Sequence, residues 1–407
     1  MIIQADKPIC AAFKGNTYYL DLGSPSEPIS LSPINTVNKF CVDKDDDGES
    51  PYFVIYVTDD CNMKCSYCFN AIDKNMQIYN REPLYNVEDF KNFIHRNYKE
   101  KEIGIRFFGG EPLINKKWIY SFVEEMAQED IRINYDIFTN ATLLDEEFIN
   151  FAEKYHIRFY VSVNGGNDIF KGKYYKEKIG EGIKNLRKRG FPVIARMVWQ
   201  PNTQETLVDL IRQTAEKGVK SISITLPWGM EYDDHTFSCQ LEDFADFYLQ
   251  NLADHNFRYI GVAPFINYIS KWIGGESYNA SFCAAGKSMV SIATDGSCYP
   301  CHCFVNIKEY CAGSIYDNVQ PLFSGLNADT MKPCKACEIK YFCKAKCAAD
   351  GYFANKDPYS MCTDKCKAEY QMIGASAYIL YELQQRKVEY MAFRNLLKRV
   401  EGQYSNV

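Results

Sequence analysis

The sequence predicts an α/β fold: a partial (β/α)6 TIM barrel followed by a C-terminal cysteine-rich domain. A strand-then-helix pattern recurs six times between residues 51 and 240, and a second region is dense in cysteine. Such alternation implies a parallel sheet with right-handed crossovers. Six units are fewer than the eight of a closed barrel. The barrel is therefore expected to stay open, with a wide mouth.

Composition narrows the functional classes. The 407 residues are 46% hydrophobic and 24% charged, enough to bury a large core. A net charge of −6 argues against nucleic-acid binding, and no apolar run is long enough for a membrane helix. The N-terminus lacks the pattern of a secretory signal peptide. With 17 cysteines, this predicts a cytoplasmic protein whose thiols bind metal rather than form disulfides.

Residues 1–50 are predicted to form a short N-terminal segment. Ala11–Leu20 matches a β-hairpin around a Gly15–Asn16 turn. The run Asp43–Gly48 is predicted to be a solvated acidic linker.

The barrel domain, residues 51–240, is predicted from its apolar runs and from the helical patterns between them. Helices are expected at Glu146–Tyr155 and Thr203–Lys217, with Gly218 as a stop signal. The six predicted strands are Tyr52–Val57, Ile103–Phe108, Asn134–Phe138, Arg158–Val163, Val193–Trp199 and Ser221–Thr225.

Three further segments follow the barrel. Residues 241–282 are predicted to be a helical bridge, and residues 371–407 an amphipathic C-terminal helix. Residues 283–370 contain eleven cysteines and little regular periodicity, as expected where metal rather than apolar burial holds the chain.

Cys61, Cys65 and Cys68 form a C-x3-C-x2-C run directly after the first strand. Thiolates are the ligands of iron–sulfur clusters, and three of them would leave the fourth iron of a cubane open to a small molecule. A zinc site is the alternative, but it would need a fourth ligand.

Polar motifs end the next three strands. Gly109-Gly110-Glu111-Pro112 ends the second, Thr139-Asn140 the third, and Ser162-Val163-Asn164-Gly165 the fourth. Glycines allow close backbone approach, and Glu111 offers a carboxylate to an ammonium group. Singly, each motif is typical of a turn or a cap. Because parallel strands place their carboxyl ends on one face, the motifs together predict a single pocket.

With these motifs the chain resembles the radical S-adenosylmethionine (SAM) enzymes, which share C-x3-C-φ-x-C, a Gly-Gly-Glu-Pro strand end and a partial barrel. The resemblance implies that the open iron binds SAM, with Gly109, Gly110 and Glu111 near its ammonium, Ser162 near its carboxylate, and Thr139 and Asn140 near the ribose. Relatives often have Thr-Asn-Gly and Ser-x-Asp-Gly, where this chain has Ala141 and Asn164. The implied cofactor-contacting residues are Tyr67, Gly109, Gly110, Glu111, Thr139, Asn140, Ser162 and Asn164.

The second cysteine group resembles the SPASM extension of radical SAM enzymes, which holds two auxiliary 4Fe-4S clusters. Zinc knuckles are the alternative, although the chain has only 5 histidines. By the resemblance, the first auxiliary cluster is bound by Cys283, Cys301 and Cys347; its fourth ligand is Cys298, Cys303 or none. The second is bound by Cys334, Cys337, Cys343 and Cys362, with Cys366 as the rival of Cys362. Three 4Fe-4S clusters are expected in all.

The resemblance implies an enzyme that cleaves SAM and abstracts hydrogen from an unactivated carbon of a ribosomally made precursor peptide, forming a thioether or a carbon-linked cross-link. Tyr299–Val305 resembles a stretch of thioether-forming members. The expected partners are the precursor peptide and an external electron donor of flavodoxin or ferredoxin type. A separate leader-binding protein is also considered, because residues 1–50 are too few for a full winged-helix domain.

Three alternatives stay open. Formylglycine formation in a sulfatase is disfavoured because His302 stands where such relatives place an Asp. Dehydrogenation of a small molecule is disfavoured because its enzymes usually carry a shorter cysteine region. An electron carrier would not need the Gly109–Pro112 motif.

Overall fold

The computed structural model describes most of the chain. The described residues are 2–4, 9–20, 28–32, 39–43, 50–65, 67–70, 80–163, 173–201, 205–227, 233–253, 260–274, 278–279, 283–323, 325–343, 347–387, 390–391, 393–394 and 397.

In chain order the strands are β1 (Ile2–Gln4), β2 (Cys10–Phe13), β3 (Asn16–Leu20), β4 (Ile29–Ser30), β5 (Lys39–Asp43), β6 (Tyr52–Tyr56), β7 (Glu102–Phe108), β8 (Arg132–Thr139), β9 (Arg158–Ser162), β10 (Val193–Val198), β11 (Ser221–Thr225), β12 (Gly261–Ala263), β13 (Tyr278–Asn279), β14 (Met289–Ile292), β15 (Ser297–Tyr299) and β16 (Gly313–Ser314). The α-helices are α1 (Val87–Asn97), α2 (Lys116–Met126), α3 (Glu146–Lys154), α4 (Lys173–Lys188), α5 (Leu207–Glu216), α6 (Asp234–Ala253), α7 (Phe265–Gly274), α8 (Lys332–Lys335), α9 (Ala348–Asn355) and α10 (Thr363–Gln385).

The central sheet has ten strands in the order β12-β11-β10-β9-β8-β7-β6-β14-β15-β16. Strands β6 to β12 pair in parallel, in sequence order, and β14 joins the free edge of β6, also in parallel. Over the described parts of the chain the sheet is not closed, so the predicted partial barrel is confirmed. The six predicted barrel strands correspond to β6–β11, and their boundaries agree to within two residues.

Four strands of this sheet, β12 and β14–β16, were not predicted, and two of them, β12 and β14, extend its parallel part. β12 lies within the predicted helical bridge and adds to the β11 edge. β14 comes from the cysteine-rich region and pairs with the first barrel strand, so the two domains share one sheet. Both strands are short, three and four residues, and too short for a periodic pattern to emerge from the sequence.

Alternation along β7 shows which face of the sheet meets the helices. Ile103, Ile105 and Phe107 are fully buried, and the Phe107 ring lies 5.8 Å from Phe122 of α2. The alternate residues of β7, including Phe108, are only partly buried and lie on the inner face. Because side chains alternate along a strand, the polar residues at the strand ends reach the same inner face.

The predicted hairpin is confirmed as β2–β3. Its loop is Lys14–Gly15, both with positive φ (48° and 72°), as a type I′ turn requires. The turn therefore lies one residue before the predicted Gly15–Asn16. Of the predicted acidic linker, Asp43 ends β5, and the rest lies outside the described residues.

The C-terminal helix α10 begins at Thr363, within the region predicted to bind clusters, and not at the expected boundary near residue 371. It packs on β2, where an added Cβ at Gly374 would lie 2.5 Å from the Ala12 carbonyl oxygen. Among the described helices, none combines the length and apolarity that a membrane crossing requires.

Candidate active site

The first cysteine group lies in the loop that follows β6, at the carboxyl end of the sheet. Cys61, Cys65 and Cys68 are free and partly buried. The Met63 N–H donates to Cys61 Sγ at 3.4 Å, and the Cys68 N–H donates to the Cys65 carbonyl at 3.1 Å. Burial raises the pKa of the Cys61 thiol to about 12 against the Met63 hydrogen bond, and the charges of Glu111, Cys65 and Cys68 raise it further. The three thiols therefore share one neighbourhood.

Gly109 and Gly110 bring the end of β7 against the cysteine loop. The Gly110 N–H donates to the Thr58 carbonyl at 2.9 Å, and the Glu111 N–H to the Asp60 carbonyl, also at 2.9 Å. A Cβ added at Gly109 (φ +139°) would lie 2.2 Å from the Thr58 oxygen, and one at Gly110 would lie 2.1 Å from the Asp60 oxygen. The glycines thus permit close approach of backbone to backbone. Their predicted contact with the SAM ammonium stays a prediction.

The Glu111 carboxylate joins the ends of β7 and β8. Its side chain is buried, and Oε1 accepts hydrogen bonds from the Thr139 hydroxyl (2.6 Å) and the Leu113 N–H (3.1 Å). Oε2 accepts the Asn140 N–H at 2.7 Å. Charge-assisted hydrogen bonds of this kind are roughly twice as strong as neutral ones, so Glu111 fixes the relative position of two strand ends.

A second polar network connects the end of β8 to the cysteine loop. Asn140 Nδ2 donates to Asn62 Oδ1 at 2.9 Å, and Asn62 Nδ2 donates to the Thr142 hydroxyl at 2.8 Å. Ala141, between Asn140 and Thr142, has φ +61°, a conformation that glycine adopts more readily than alanine. Sequence reasoning missed Asn62. The signal was a short amide side chain between Cys61 and Cys65.

The structure shows fewer interactions for the other residues predicted to contact SAM. Ser162 ends β9 and pairs in register with Arg196 of β10. Tyr67 is partly buried within the cysteine loop. Asn164 lies outside the described residues.

The second cysteine region faces the first across a buried tyrosine. The Tyr56 hydroxyl donates to the His302 carbonyl at 2.8 Å, and the His302 ring lies 5.0 Å from Phe108 and 5.6 Å from Phe69. Burial raises the pKa of Tyr56 well above its ordinary value, and the charges of nearby thiols, among them Cys301, Cys303 and Cys68, raise it further. Tyr56 thus lies between the two cysteine groups.

The structure brings together the cysteines predicted to bind the first auxiliary cluster. Burial raises the pKa of Cys283 to about 12, and the charge of Cys301 adds to it. Burial also raises the pKa of Cys347, assisted by Asp350, Cys283 and Cys301. A hydrogen bond from Cys303 lowers the pKa of Cys301 well below its ordinary value.

The two rivals for the fourth position lie in different places. Ligand atoms of Cys301, His302 and Cys303 all lie within 4.8 Å of one another. Cys298 is fully buried, and its charge acts on Tyr85 and Tyr98, beside α1. Cys303 is therefore the rival that accompanies Cys301.

The second auxiliary group has five members rather than four. Burial raises the pKa of Cys366 to about 12, and the charges of four neighbouring thiols add to it: Cys343, Cys334, Cys337 and Cys362. Cys362 precedes α10, and Cys366 lies one turn later, with its N–H donating to the Cys362 carbonyl at 3.0 Å. Both rivals are at this site.

The donor set fits iron–sulfur clusters. All sixteen cysteines whose side chains are described are free thiols, and most gather in three groups. Thiolate-only ligation in groups of three or more is what such clusters need. The number of clusters stays a prediction.

The inner face of the barrel carries a charged group that sequence analysis missed. Asp136 of β8 is buried and forms ion pairs with Arg106 (3.3 Å) and Arg158 (2.7 Å). Farther along the sheet, Arg196 donates to the Ser223 hydroxyl at 2.8 Å. Their signal was a charged residue within an otherwise apolar strand, as Arg106 in β7 and Arg196 in β10.

A cavity of about 250 Å³ lies beside Arg196, between the barrel and the cysteine-rich domain. The ends of β10–β12 form one wall, including Arg196 and Ser223. Asp350 of α9 and Lys365 and Glu369 of α10 line the other. Since Asp350 is also close to Cys347, the cavity borders the first auxiliary group.

Comparison with known proteins identifies relatives of both domains. The model of the Radical SAM superfamily matches residues 55–226. A cysteine-type anaerobic sulfatase-maturating enzyme of Clostridium novyi (strain NT) is 24% identical over 333 residues, which cover 73% of this chain and 86% of that protein.

Two solved structures share the fold. Native anSMEcpe with bound AdoMet and Cp18Cys peptide superimposes with a TM-score of 0.67 at 18% identity, covering 82% of this chain and 99% of that one. Streptococcus suis SuiB bound to precursor peptide SuiA gives a TM-score of 0.51 at 19% identity, covering 77% and 74%. At these identities the likeness concerns the fold.

Proposed function

Residues 55–226 of this chain form a radical SAM domain, and from that premise we propose that the protein modifies a ribosomally made precursor peptide. The product is a thioether or a carbon-linked cross-link at an unactivated carbon. The observation that carries the proposal is the position of the cavity, at the strand ends between the radical SAM domain and the second cysteine region.

The cofactor sites are proposed from the residues that converge at the mouth. Cys61, Cys65 and Cys68 would hold a 4Fe-4S cluster, and the Gly109–Glu111 and Thr139–Asn140 segments would contact SAM, together with Ser162. When bound, the cluster and SAM would supply a 5′-deoxyadenosyl radical, the chemistry needed to remove a hydrogen atom from carbon. Tyr67 and Asn164 are proposed as further SAM contacts.

The contribution of the protein is positioning. Glu111 ties the ends of β7 and β8 together, and Asn62 ties the cysteine loop to β8. A reactive radical needs its target within contact distance, and fixed strand ends supply that orientation. The rings of Phe69, Phe108 and His302 pack together at the mouth and help to exclude water.

The auxiliary sites are proposed with one refinement. Cys283, Cys301 and Cys347 would hold the first cluster, and Cys303 is favoured as its fourth ligand over Cys298. The Cys303 sulfur lies within 4.8 Å of the Cys301 sulfur, which supports this choice. An open fourth position would instead suit a substrate thiolate.

For the second auxiliary cluster we propose Cys334, Cys337 and Cys343, with either Cys362 or Cys366 as the fourth ligand. An external flavodoxin- or ferredoxin-type donor would supply the electron. Leader recognition by a separate protein remains part of the proposal.

Formylglycine formation in a sulfatase is the second candidate function. It is favoured by the relative from Clostridium novyi, whose likeness extends over 73% of this chain. Against it, His302 follows Cys301, at the place where an Asp would be expected.

The experiment supplies reconstituted, anaerobic protein with SAM, a reductant and two kinds of peptide. One is a Cys-rich precursor encoded beside the gene, and the other is a sulfatase peptide with the Cys-type motif. Loss of two hydrogens from the precursor, found by mass spectrometry, supports peptide cross-linking. An aldehyde on the sulfatase peptide alone supports the second candidate and contradicts the first. A variant with Cys61, Cys65 and Cys68 changed to Ala is the control and should form no 5′-deoxyadenosine.

A further inference from the structure

We propose that Arg196 binds a carboxylate of the substrate in the cavity between the barrel and the cysteine-rich domain. The ligand is an acidic residue of the peptide, held by its side chain, or a chain-terminal carboxylate. This inference rests on the proposed function, because it names the kind of peptide that the site accepts.

Among the described residues, Arg196 has no carboxylate partner. It lies on the inner face of β10, and its one hydrogen bond to a described residue goes from Nη1 to the neutral Ser223 hydroxyl, at 2.8 Å. Within the described parts of the chain, no carboxylate oxygen lies within ion-pair distance of it. A guanidinium has five N–H donors, so most of its capacity is available to a ligand.

The neighbouring carboxylates are engaged elsewhere. Asp136 is shared by Arg106 and Arg158, which leaves three guanidinium groups and one carboxylate along this part of the inner face. Across the cavity, Asp350 pairs with Lys365 at 2.6 Å.

Glu369 is buried and accepts a hydrogen bond from the Tyr268 hydroxyl. Each of these carboxylates already accepts from a donor of its own, and Lys365 is paired with Asp350. An anion that enters the cavity would therefore be attracted to Arg196.

The chemistry of the site favours a carboxylate. Burying an unpaired charge is unfavourable, and a planar guanidinium matches a planar carboxylate through two parallel hydrogen bonds. The cavity, about 250 Å³, is below the roughly 300–1,000 Å³ that is usual for sites of whole small molecules. It therefore suits one or two side chains of a larger substrate.

The carboxylate of SAM is the competing source of the same chemistry. Arg196 pairs in register with Ser162, which is proposed to lie near that group. However, its side chain is bonded toward β11, on the opposite side from β9, and lines a cavity formed by β10–β12. The other described residues proposed to contact SAM lie in the cysteine loop and at the carboxyl ends of β7 and β8. This direction favours the substrate.

The test measures binding to the full-length, cluster-reconstituted protein by calorimetry. The probes are N-acetyl-glutamate α-amide, which has only a side-chain carboxylate, N-acetylalanine, which has only a terminal one, and the neutral N-acetylglutamine amide. Each is titrated into wild type, R196Q and R196K, and SAM is titrated separately. R212Q is the matched control, since Arg212 is an exposed arginine of α5 paired with Asp209.

The proposal expects at least one acidic probe to bind wild type and R212Q at least tenfold more tightly than the neutral probe. R196Q should lose this preference, R196K should retain part of it, and SAM affinity should stay within twofold. The acidic probe that binds more tightly identifies the source of the carboxylate. Equal affinity for acidic and neutral probes in wild type overturns the proposal, and so does a preference that survives in R196Q. A loss of SAM affinity in R196Q overturns it too, because Arg196 would then serve the cofactor. Formation of 5′-deoxyadenosine by wild type is recorded in parallel, and its absence refutes the proposed function without affecting the binding result.

Discussion

Glu111→Gln is the substitution that most directly tests how the mouth of the barrel is held. The carboxylate accepts from three donors: the Thr139 hydroxyl, the Leu113 N–H and the Asn140 N–H. Glutamine keeps only one of the two side-chain oxygens. In one orientation its NH2 group faces the Asn140 N–H, and in the other it faces the Leu113 N–H. One backbone donor therefore loses its acceptor in either orientation. Thr139 cannot relieve this fully, because its oxygen already accepts the Ala141 N–H at 2.9 Å.

The magnitude follows from these contacts. An unsatisfied buried donor costs about 1–3 kcal/mol, and hydrogen bonds to charged groups contribute about 1.5–3 kcal/mol each. We therefore expect the free energy of unfolding to fall by about 2–4 kcal/mol in Glu111→Gln, since at least one backbone donor is orphaned and the others lose their charged acceptor.

The assay is urea unfolding of the reduced, metal-free protein, followed by circular dichroism. Glu82→Gln is the control, because Glu82 is exposed. A loss in Glu111→Gln of only about 0.5 kcal/mol, the range of ordinary surface substitutions, would refute the structural role. If SAM affinity fell in that case, Glu111 would act on the cofactor, as the sequence motif predicts.

Three further predictions concern single positions. Gly109→Ala should lower the free energy of unfolding by about 3 kcal/mol or more, because the added Cβ would lie 2.2 Å from a carbonyl oxygen at a strained φ. Gly15→Ala, in open space at φ +72°, should lose only about 1 kcal/mol in the same unfolding assay. Equal losses would contradict the close approach of the backbone at Gly109. Cys303→Ala should lower the iron content of reconstituted protein or alter the spectrum of its auxiliary clusters, whereas Cys298→Ala should leave both unchanged; the reverse result would make Cys298 the ligand. In metal-free protein, the pKa of Cys61 is raised to about 12 from 9.0. The folded state therefore keeps the thiol proton to higher pH than the unfolded state, and the free energy of unfolding falls as pH rises above 9. Cys61→Ser should lose less stability between pH 8 and 10 than wild type, and an identical pH dependence would contradict the raised pKa.

Much of the barrel could be predicted because its strands are long and strongly patterned. β6, β9 and β10 carry apolar runs, and β7 and β11 alternate apolar with polar or glycine residues. Polar or glycine-rich segments follow several of these strands and mark where they end. The convergence of Cys61, Gly109 and Thr139 followed from parallel strand order alone. Hydrophobic periodicity and the location of chemistry at carboxyl ends were sufficient.

What could not be predicted depends on contacts between distant residues. β12 and β14 are too short for periodicity, and they form because a neighbouring strand edge offers hydrogen bonds. The pairing of Glu111 with the end of β8 depends on which side chains meet across the sheet. The same holds for Arg196, which has no carboxylate partner among the described residues. The hairpin turn lies one residue earlier than predicted because Lys14 adopts a positive φ (48°). Lysine rarely adopts this conformation, so the sequence does not indicate it.

The most direct test of the account is electron paramagnetic resonance of the reduced, anaerobically reconstituted protein, recorded with and without SAM. The account predicts a cluster signal that changes when SAM is added, and that is missing from the variant with Cys61, Cys65 and Cys68 changed to Ala. A spectrum indifferent to SAM, or the same SAM-dependent change in that variant, would contradict it.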